Sequence, residues 1–223
     1  GPMLQTSGIS VERGDRTVLN AVDFELSVGE VVALTGENGS GKTTMLEACA
    51  GILTLSEGAV NRKSDSGKMQ VVSDYEGRRN RPPPTGLTLQ RDGICGEETV
   101  EERFEVALKV AGMKMSEPTA SDVLREWGLE HRRADRIAQL SGGQRRRLAV
   151  LCGIAPAALC AEPRVVMLDE PSEGLDRAGK ELLIGWLRGL KLNGHAVIVA
   201  VSYTHLRAPE PSLHRVCRLM LEK

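Results

Sequence analysis

The segment that most constrains this chain is the unbroken run VVALT, residues 31–35, delivered straight into GENGSGKTT, residues 36–44. An apolar run without alternation is the pattern of a strand covered on both faces, as in parallel sheets packed under helices. The segment from residue 43 to residue 50 predicts a helix, and Gly51 ends it. Strand, glycine-rich turn and helix together form one unit of an α/β fold built on a mainly parallel sheet.

The turn also carries chemistry. It fits G-x-x-x-x-G-K-[ST], with Gly36, Gly41, Lys42 and Thr43 at the fixed positions. Glycines admit backbone conformations that let successive N–H groups close around an anion. Lys42 carries a charge toward the β- and γ-phosphates of a nucleotide, and Thr43 offers a hydroxyl to Mg²⁺. The start of the helix adds its own partial positive charge. Glu37, Asn38, Gly39 and Ser40 complete the loop and Thr44 follows it, so all nine residues are candidate nucleotide-binding positions. A chance glycine turn would have no reason to lie between an apolar strand and a helix.

A second buried strand is predicted by VVML, residues 165–168, with Asp169 and Glu170 at its exit. An aspartate there can hold Mg²⁺ through water, opposite the threonine of the loop. Glu170 beside it is placed to polarise a water for in-line attack on the γ-phosphate. Taken alone, the pair would read as an acidic helix start ahead of Pro171. The glycine loop upstream favours the catalytic reading.

Two motifs of this kind occur in many nucleotide hydrolases. LSGGQ, residues 140–144, lies 25 residues before Asp169 and narrows the choice. Together the three resemble the ATP-binding-cassette (ABC) ATPases, over essentially the whole chain. The resemblance implies a P-loop NTPase core, an N-terminal antiparallel β subdomain and an inserted α-helical lobe. It further implies that Ser141, Gly142, Gly143 and Gln144 cap the γ-phosphate held by a second copy, so that two ATP molecules are sandwiched head to tail. By the same resemblance Gln90, 48 residues after Lys42, meets Mg²⁺ and the attacking water; Gln70 is its rival. SEGLD, ending at Asp176, matches the loop that joins the two subunits, with Glu173 as a departure from the usual pattern. His205 matches the histidine that contacts the γ-phosphate, although SYTH lacks the usual aspartate. VSYTHLRA, residues 201–208, is also what one reading frame of a common sequencing adaptor encodes, so the place of His205 rests on that tail being native. Where the family stacks the adenine on an aromatic ring, this chain has Arg13. A guanidinium plane can stack on a base, and it leaves the choice between adenine and guanine open.

The resemblance predicts ATP and Mg²⁺ as ligands, a second cassette subunit and separate transmembrane subunits as partners, and a cytoplasmic, membrane-peripheral location. A soluble ABC ATPase that remodels proteins or assembles a cofactor is the alternative. GEETVEERF after Gln90 leans toward cassettes that energise metal or vitamin uptake.

Composition agrees. The formal net charge of −1 gives no general pull toward nucleic acid, and aromatics at 3% leave little for base stacking. Five scattered cysteines, none in a CxxC, read as reduced thiols of a cytosolic protein. The longest weakly apolar run, residues 148–161, is 14 residues long and contains a proline, against about 20 for a membrane span.

Along the chain, Val22, Phe24, Leu26 and Val28 alternate as a strand does. Residues 61–86 are polar, basic and proline-broken, and predict a surface excursion with a short strand at 69–72. Val100, Phe104, Ala107, Leu108 and Ala111 mark a helix face, and a further helix is predicted over 121–127 with Ser121 as its cap. Ala178, Leu182, Trp186 and Leu190 mark another. The expected division is a cleavage scar at 1–3, the β subdomain and first part of the core at 4–90, the helical lobe at 91–140, and the rest of the core at 141–223. Arg145, Arg146 and Arg147 read as a solvated first helical turn. His131, His195 and His214 read as surface histidines.

Overall fold

The structure, a computed structural model, describes residues 1–36, 39, 41–81, 85–88, 96–110, 112–114, 117–202 and 215–218; for 85–88, 117 and 215–218 it describes the backbone alone. In chain order the first elements are β1 (Pro2–Arg13), β2 (Arg16–Ser27), β3 (Val31–Gly36), α1 (Lys42–Cys49), β4 (Glu57–Lys63), β5 (Met69–Asp74) and β6 (Thr85–Thr88). Then follow α2 (Val100–Val110), α3 (Glu117–Glu126), α4 (Gly142–Ala158), β7 (Val165–Asp169), α5 (Arg177–Leu192), β8 (Ala196–Ser202) and β9 (Arg215–Arg218).

The strands form two sheets. One is antiparallel, in the order β2-β1-β4-β5; the other runs β6-β7-β8-β3-β9 with every neighbouring pair parallel. The apolar runs explain why the parallel strands lie inside. Val32, Leu34, Val165, Met167 and Ile198 pack with α1 and the antiparallel sheet. Val31, Val166, Leu168, Val197 and Val199, at the alternate positions, pack with α4, α5 and the helices of the lobe. Successive side chains of a strand point to opposite faces, so an uninterrupted apolar run is what two covered faces require.

In the lobe, α2 buries Val100, Phe104 and Leu108, the predicted face. Trp127 is fully buried and meets Trp186 of α5 edge-on, with ring centroids 5.6 Å apart. Such a pair is worth about 0.5–1.5 kcal/mol beyond its area. Trp186 Nε1 donates to Glu126 Oε1 at 2.9 Å, tying α5 to the end of α3.

Pro2 and Met3 belong to β1, and Met3 is buried in the core. Three expectations are corrected. The strand expected at 69–72 is present as β5, but the stretch up to residue 74 is more ordered than a surface excursion: β4 runs to Lys63 and pairs antiparallel with β5, with Asn61 opposite Val71 and Lys63 opposite Met69. Their polarity misled because an outer hairpin can have one face in water. Ser121 is not a cap. α3 starts at Glu117 with Pro118 in its first turn, where a missing N–H costs nothing, and Ser121 Oγ accepts from Arg133 Nη1 at 2.7 Å. On α5 the buried positions are Gly179, Leu183, Leu187 and Leu190. A strict every-fourth stripe drifts by about 40° per step around a helix, which puts Leu182 and Trp186 on the half-buried flank and Ala178 in solvent.

Candidate nucleotide site

The parallel sheet brings the motifs together. Gly36 ends β3 opposite Ser202, and Asp169 ends β7 opposite Ala200, so both leave the carboxyl edge of the sheet with only β8 between them. Ligands of open α/β sheets lie at this edge.

Gly41 precedes α1 with φ +91°, and a Cβ there would lie 3.2 Å from the Val18 carbonyl oxygen. Both backbone and space therefore demand glycine at this point. No side chain caps α1 and its first turn holds no acid, which leaves amides for an anion. Lys42 is buried; its Nζ donates to the Gly36 carbonyl at 2.7 Å and lies 3.6 Å from Glu170 Oε1. Thr43 Oγ1 donates to Asp169 Oδ2 at 2.6 Å.

Glu170 is 3% exposed and sits at φ +48°, in the left-handed region. Its N–H donates to the Ala200 carbonyl at 2.8 Å, yet neither carboxylate oxygen accepts a hydrogen bond. A buried carboxylate with both oxygens open is arranged to accept from something that enters the site. The touching hydroxyl and carboxylate of Thr43 and Asp169 are both hard oxygen donors. They fit Mg²⁺ held mainly by phosphates and water, which takes one or two carboxylates at most. No group of three or more acidic, histidine or cysteine side chains among the described residues forms a self-sufficient metal cage.

The stretch at 140–144 starts α4. Ser141 Oγ accepts from Gln144 N at 3.1 Å, and Gln144 Oε1 accepts from Ser141 N at 3.0 Å, a reciprocal capping box. These two side chains are thereby engaged within their own helix. Gly142 and Gly143 are exposed residues. Among the described residues, none of the four hydrogen-bonds to the glycine loop of the same chain.

Of the three arginines that follow, Arg145 is exposed as expected, Arg147 is half-buried and Arg146 is buried. Arg146 is 8% exposed; Nε donates to the Glu173 carbonyl at 2.9 Å, and Nη2 to those of Glu170 at 2.7 Å and Asp169 at 3.4 Å. Arg147 donates to the Trp127 carbonyl at 3.1 Å and to Asp176 Oδ1 at 3.0 Å. Arg145 reaches the Ile137 carbonyl at 3.4 Å. The burial of Arg146 had a signal in the sequence: it precedes Ala149 by three residues and Val150 by four, both buried, so it shares the inward face of α4.

Asp176, expected at the end of the loop that joins two subunits, caps α5 by accepting from Gly179 N at 2.8 Å. That hydrogen bond, helped by Arg147, holds its carboxyl below the usual range. Arg13 pairs with Glu47 of α1 at 3.4 Å, and its side chain is about half exposed. Gln70 lies on β5 in the antiparallel sheet, opposite Arg62. His131 is exposed, as expected, whereas His195 is fully buried. Its Nδ1 accepts from Arg164 N at 2.9 Å, at the opposite end of the strands from Asp169, and burial pushes its pKa down. Glu37, Asn38, Ser40, Gln90, His205 and His214 lie outside the described residues.

A glycine loop at the end of one parallel strand, facing an acidic exit two strands away, defines a P-loop nucleotide-binding site. Residues 19–173 match the family model described as ABC transporter. The chain is 31% identical over 183 residues to the lipoprotein-releasing system ATP-binding protein LolD of Bacteroides fragilis, covering 81% of this chain and 82% of that one. It is 32% identical over 206 residues to the Fe(3+) ions import ATP-binding protein of Streptomyces avermitilis, covering 90% and 55%. A Nod factor export ATP-binding protein I of a Rhizobium species is 30% identical over 221 residues, covering 97% and 67%. The chain spans 39% of the length of a Methanosarcina acetivorans relative to which it is 30% identical over 223 residues. Two solved structures share the fold. An ATP-binding subunit of an ABC transporter superposes with TM-score 0.80 at 24% identity, covering 97% of this chain and 85% of that one. A nucleotide-free ATP-binding cassette gives 0.72 at 18% identity, covering 98% and 88%. The chain belongs to the ABC transporter family.

Proposed function

We propose that the chain binds ATP with Mg²⁺ and hydrolyses it as the energising subunit of a membrane transporter. The observation that carries this reading is the placement of Lys42 between the Gly36 carbonyl and Glu170, beside the Thr43–Asp169 pair. Lys42 and the α1 amides bind the phosphates, with residues 36–44 as the cradle. Thr43 and Asp169 hold the ion, with Gln90 completing the set. The ion, when bound, neutralises charge on the β- and γ-oxygens. Glu170, with both carboxylate oxygens open, orients the attacking water and accepts its proton. His205 contacts the γ-phosphate, and Arg13 lies against the base.

Hydrolysis takes place between two cassettes, each lending residues 141–144 to the nucleotide of the other. The exposure of Gly142 and Gly143 at the head of α4 supports this reading. The names of relatives, which belong to import, export and lipoprotein-releasing systems, support the transport role. No helix among the described residues is long and apolar enough to cross a membrane, so the reading assigns the channel to separate transmembrane subunits and the cassette to their cytoplasmic face. The β subdomain and first part of the core span 4–90, the helical lobe 91–140 and the rest of the core 141–223.

Glu170→Gln tests the reading. Hydrolysis should stall while binding survives, and the mass in solution should double with Mg-ATP and return to monomer without it. A variant that binds ATP, stays monomeric and hydrolyses at the wild-type rate would remove both the role of Glu170 and the sandwich.

A further inference from the structure

We propose that Arg146 is a positioning residue that aims Glu170 at the nucleotide and ties that aim to the capping end of α4. The inference rests on the reading of Glu170 as the group that orients the attacking water.

Glu170 has a φ of +48°, a conformation that a non-glycine residue keeps only where its surroundings over-determine it. Its carboxylate accepts no hydrogen bond, and Lys42 lies 3.6 Å from Oε1, so the backbone at Glu170 and that one ion pair together set the direction of the carboxylate. That backbone is held from two sides. The sheet takes the Glu170 N–H through the Ala200 carbonyl at 2.8 Å, and Arg146 Nη2 grips the Glu170 carbonyl at 2.7 Å. The same guanidinium holds the carbonyls of Asp169 and Glu173, so three points of one turn converge on a single rigid plane. Its stem packs on Gly174, where a Cβ would lie 3.4 Å from Arg146 Cγ. Only a fork of donors in one plane serves carbonyls on both sides of the turn; a lysine ammonium, a compact point donor on a flexible stem, holds fewer at once.

Arg146 stands on the first turns of the helix that Ser141 caps. A helix moves as a rod, so the anion-binding amides at its start and the clamp on Glu170 shift together. Occupancy of the amides by a partner's nucleotide is thereby felt at the general base of the same chain.

The test compares Arg146→Gln and Arg146→Lys with Glu170→Gln in the full chain, measuring ATP affinity, kcat, KM and thermal midpoint. For Arg146→Gln we expect ATP affinity within about twofold of wild type. We expect kcat to fall about 30-fold, within the roughly 100-fold loss that a displacement near 1 Å can cause. Arg146→Lys should fall between the two, because it keeps the charge and loses the fork. Merely structural damage would lower affinity, kcat and midpoint together, without that ranking, and would overturn the inference. An unchanged kcat in Arg146→Gln overturns it equally. Should that variant fail to fold, Arg146→Lys decides on the same criterion. Wild-type hydrolysis by Glu170→Gln would instead defeat the underlying reading of Glu170, whatever Arg146 does.

Discussion

Without nucleotide, Lys42 and Glu170 bury each other, at 6% and 3% exposure, with 3.6 Å between Nζ and Oε1. At that spacing the attraction is about 4–5 kcal/mol for an effective dielectric near 20. Each charge makes the other's burial tolerable, so removing Lys42 alone should hurt more than removing both. Lys42→Met leaves a dry carboxylate with no hydrogen bond, a loss of about 3–5 kcal/mol. Glu170→Gln leaves the ammonium with the Gly36 carbonyl and should lose about 1–2 kcal/mol. The double variant carries no buried charge at this point and should recover about 2 kcal/mol relative to Lys42→Met. For a chain of 223 residues about 1 kcal/mol moves the midpoint by roughly 2–4 °C. Lys42→Met should therefore melt about 10 °C below wild type, and adding Glu170→Gln should return about 4–6 °C. Thermal unfolding followed by circular dichroism, without nucleotide or divalent cation, reads both shifts. If Glu170→Gln lowers the midpoint further in the Lys42→Met background, the two groups do not compensate each other and the reasoning fails.

Two more perturbations follow. His195 is held neutral by burial, so below its unfolded pKa near 6.5 the unfolded chain binds more protons than the folded one. Stability should then fall with falling pH by up to about 1.4 kcal/mol per unit, and His195→Asn, whose Oδ1 can take the Arg164 N–H, should flatten that limb in urea titrations; an unchanged slope counts against it. Gly142→Ala adds a Cβ that meets nothing within 4 Å and replaces a poor helix former. The monomer should melt at the same temperature or about 1–2 °C higher, while ATP-dependent pairing in the Glu170→Gln background is lost; pairing that survives would show that no close approach occurs at Gly142.

How much was legible depended on what each residue answers to. The parallel core was plain because VVALT, VVML and AVIVAVS have to be covered on both faces whatever surrounds them. The glycine loop was plain because Gly41 needs both its backbone angle and its space. Ser121 was misread because residue type alone favours a cap there, while Pro118 had already started the helix upstream. The α5 stripe was misread because four-residue spacing fits a helix and still drifts away from the side that meets the sheet. Arg146 and His195 were misread for one shared reason. A charged or polar residue is placed in solvent by default, and only the folded chain shows which carbonyl or amide has come within reach of it.

The same contrast separates the residues that serve this chain from those that serve something outside it. Ser141, Gln144, Arg146, Arg147 and Asp176 are engaged in bonds that the isolated fold explains. Gly142 and Gly143 are not. Neither has a positive φ, a Cβ at Gly142 would touch nothing, and at Gly143 the nearest atom would be 4.0 Å away. Glycine within a helix forfeits about 1 kcal/mol against alanine, and no contact among the described residues calls for it here. Glu170 poses the same problem in a different form, with a strained backbone and a buried carboxylate that accepts no hydrogen bond. The exposed glycines at the head of α4 and the buried carboxylate at the exit of β7, which accepts no hydrogen bond, would both be met by the proposed arrangement, in which a nucleotide and its attacking water lie between two copies.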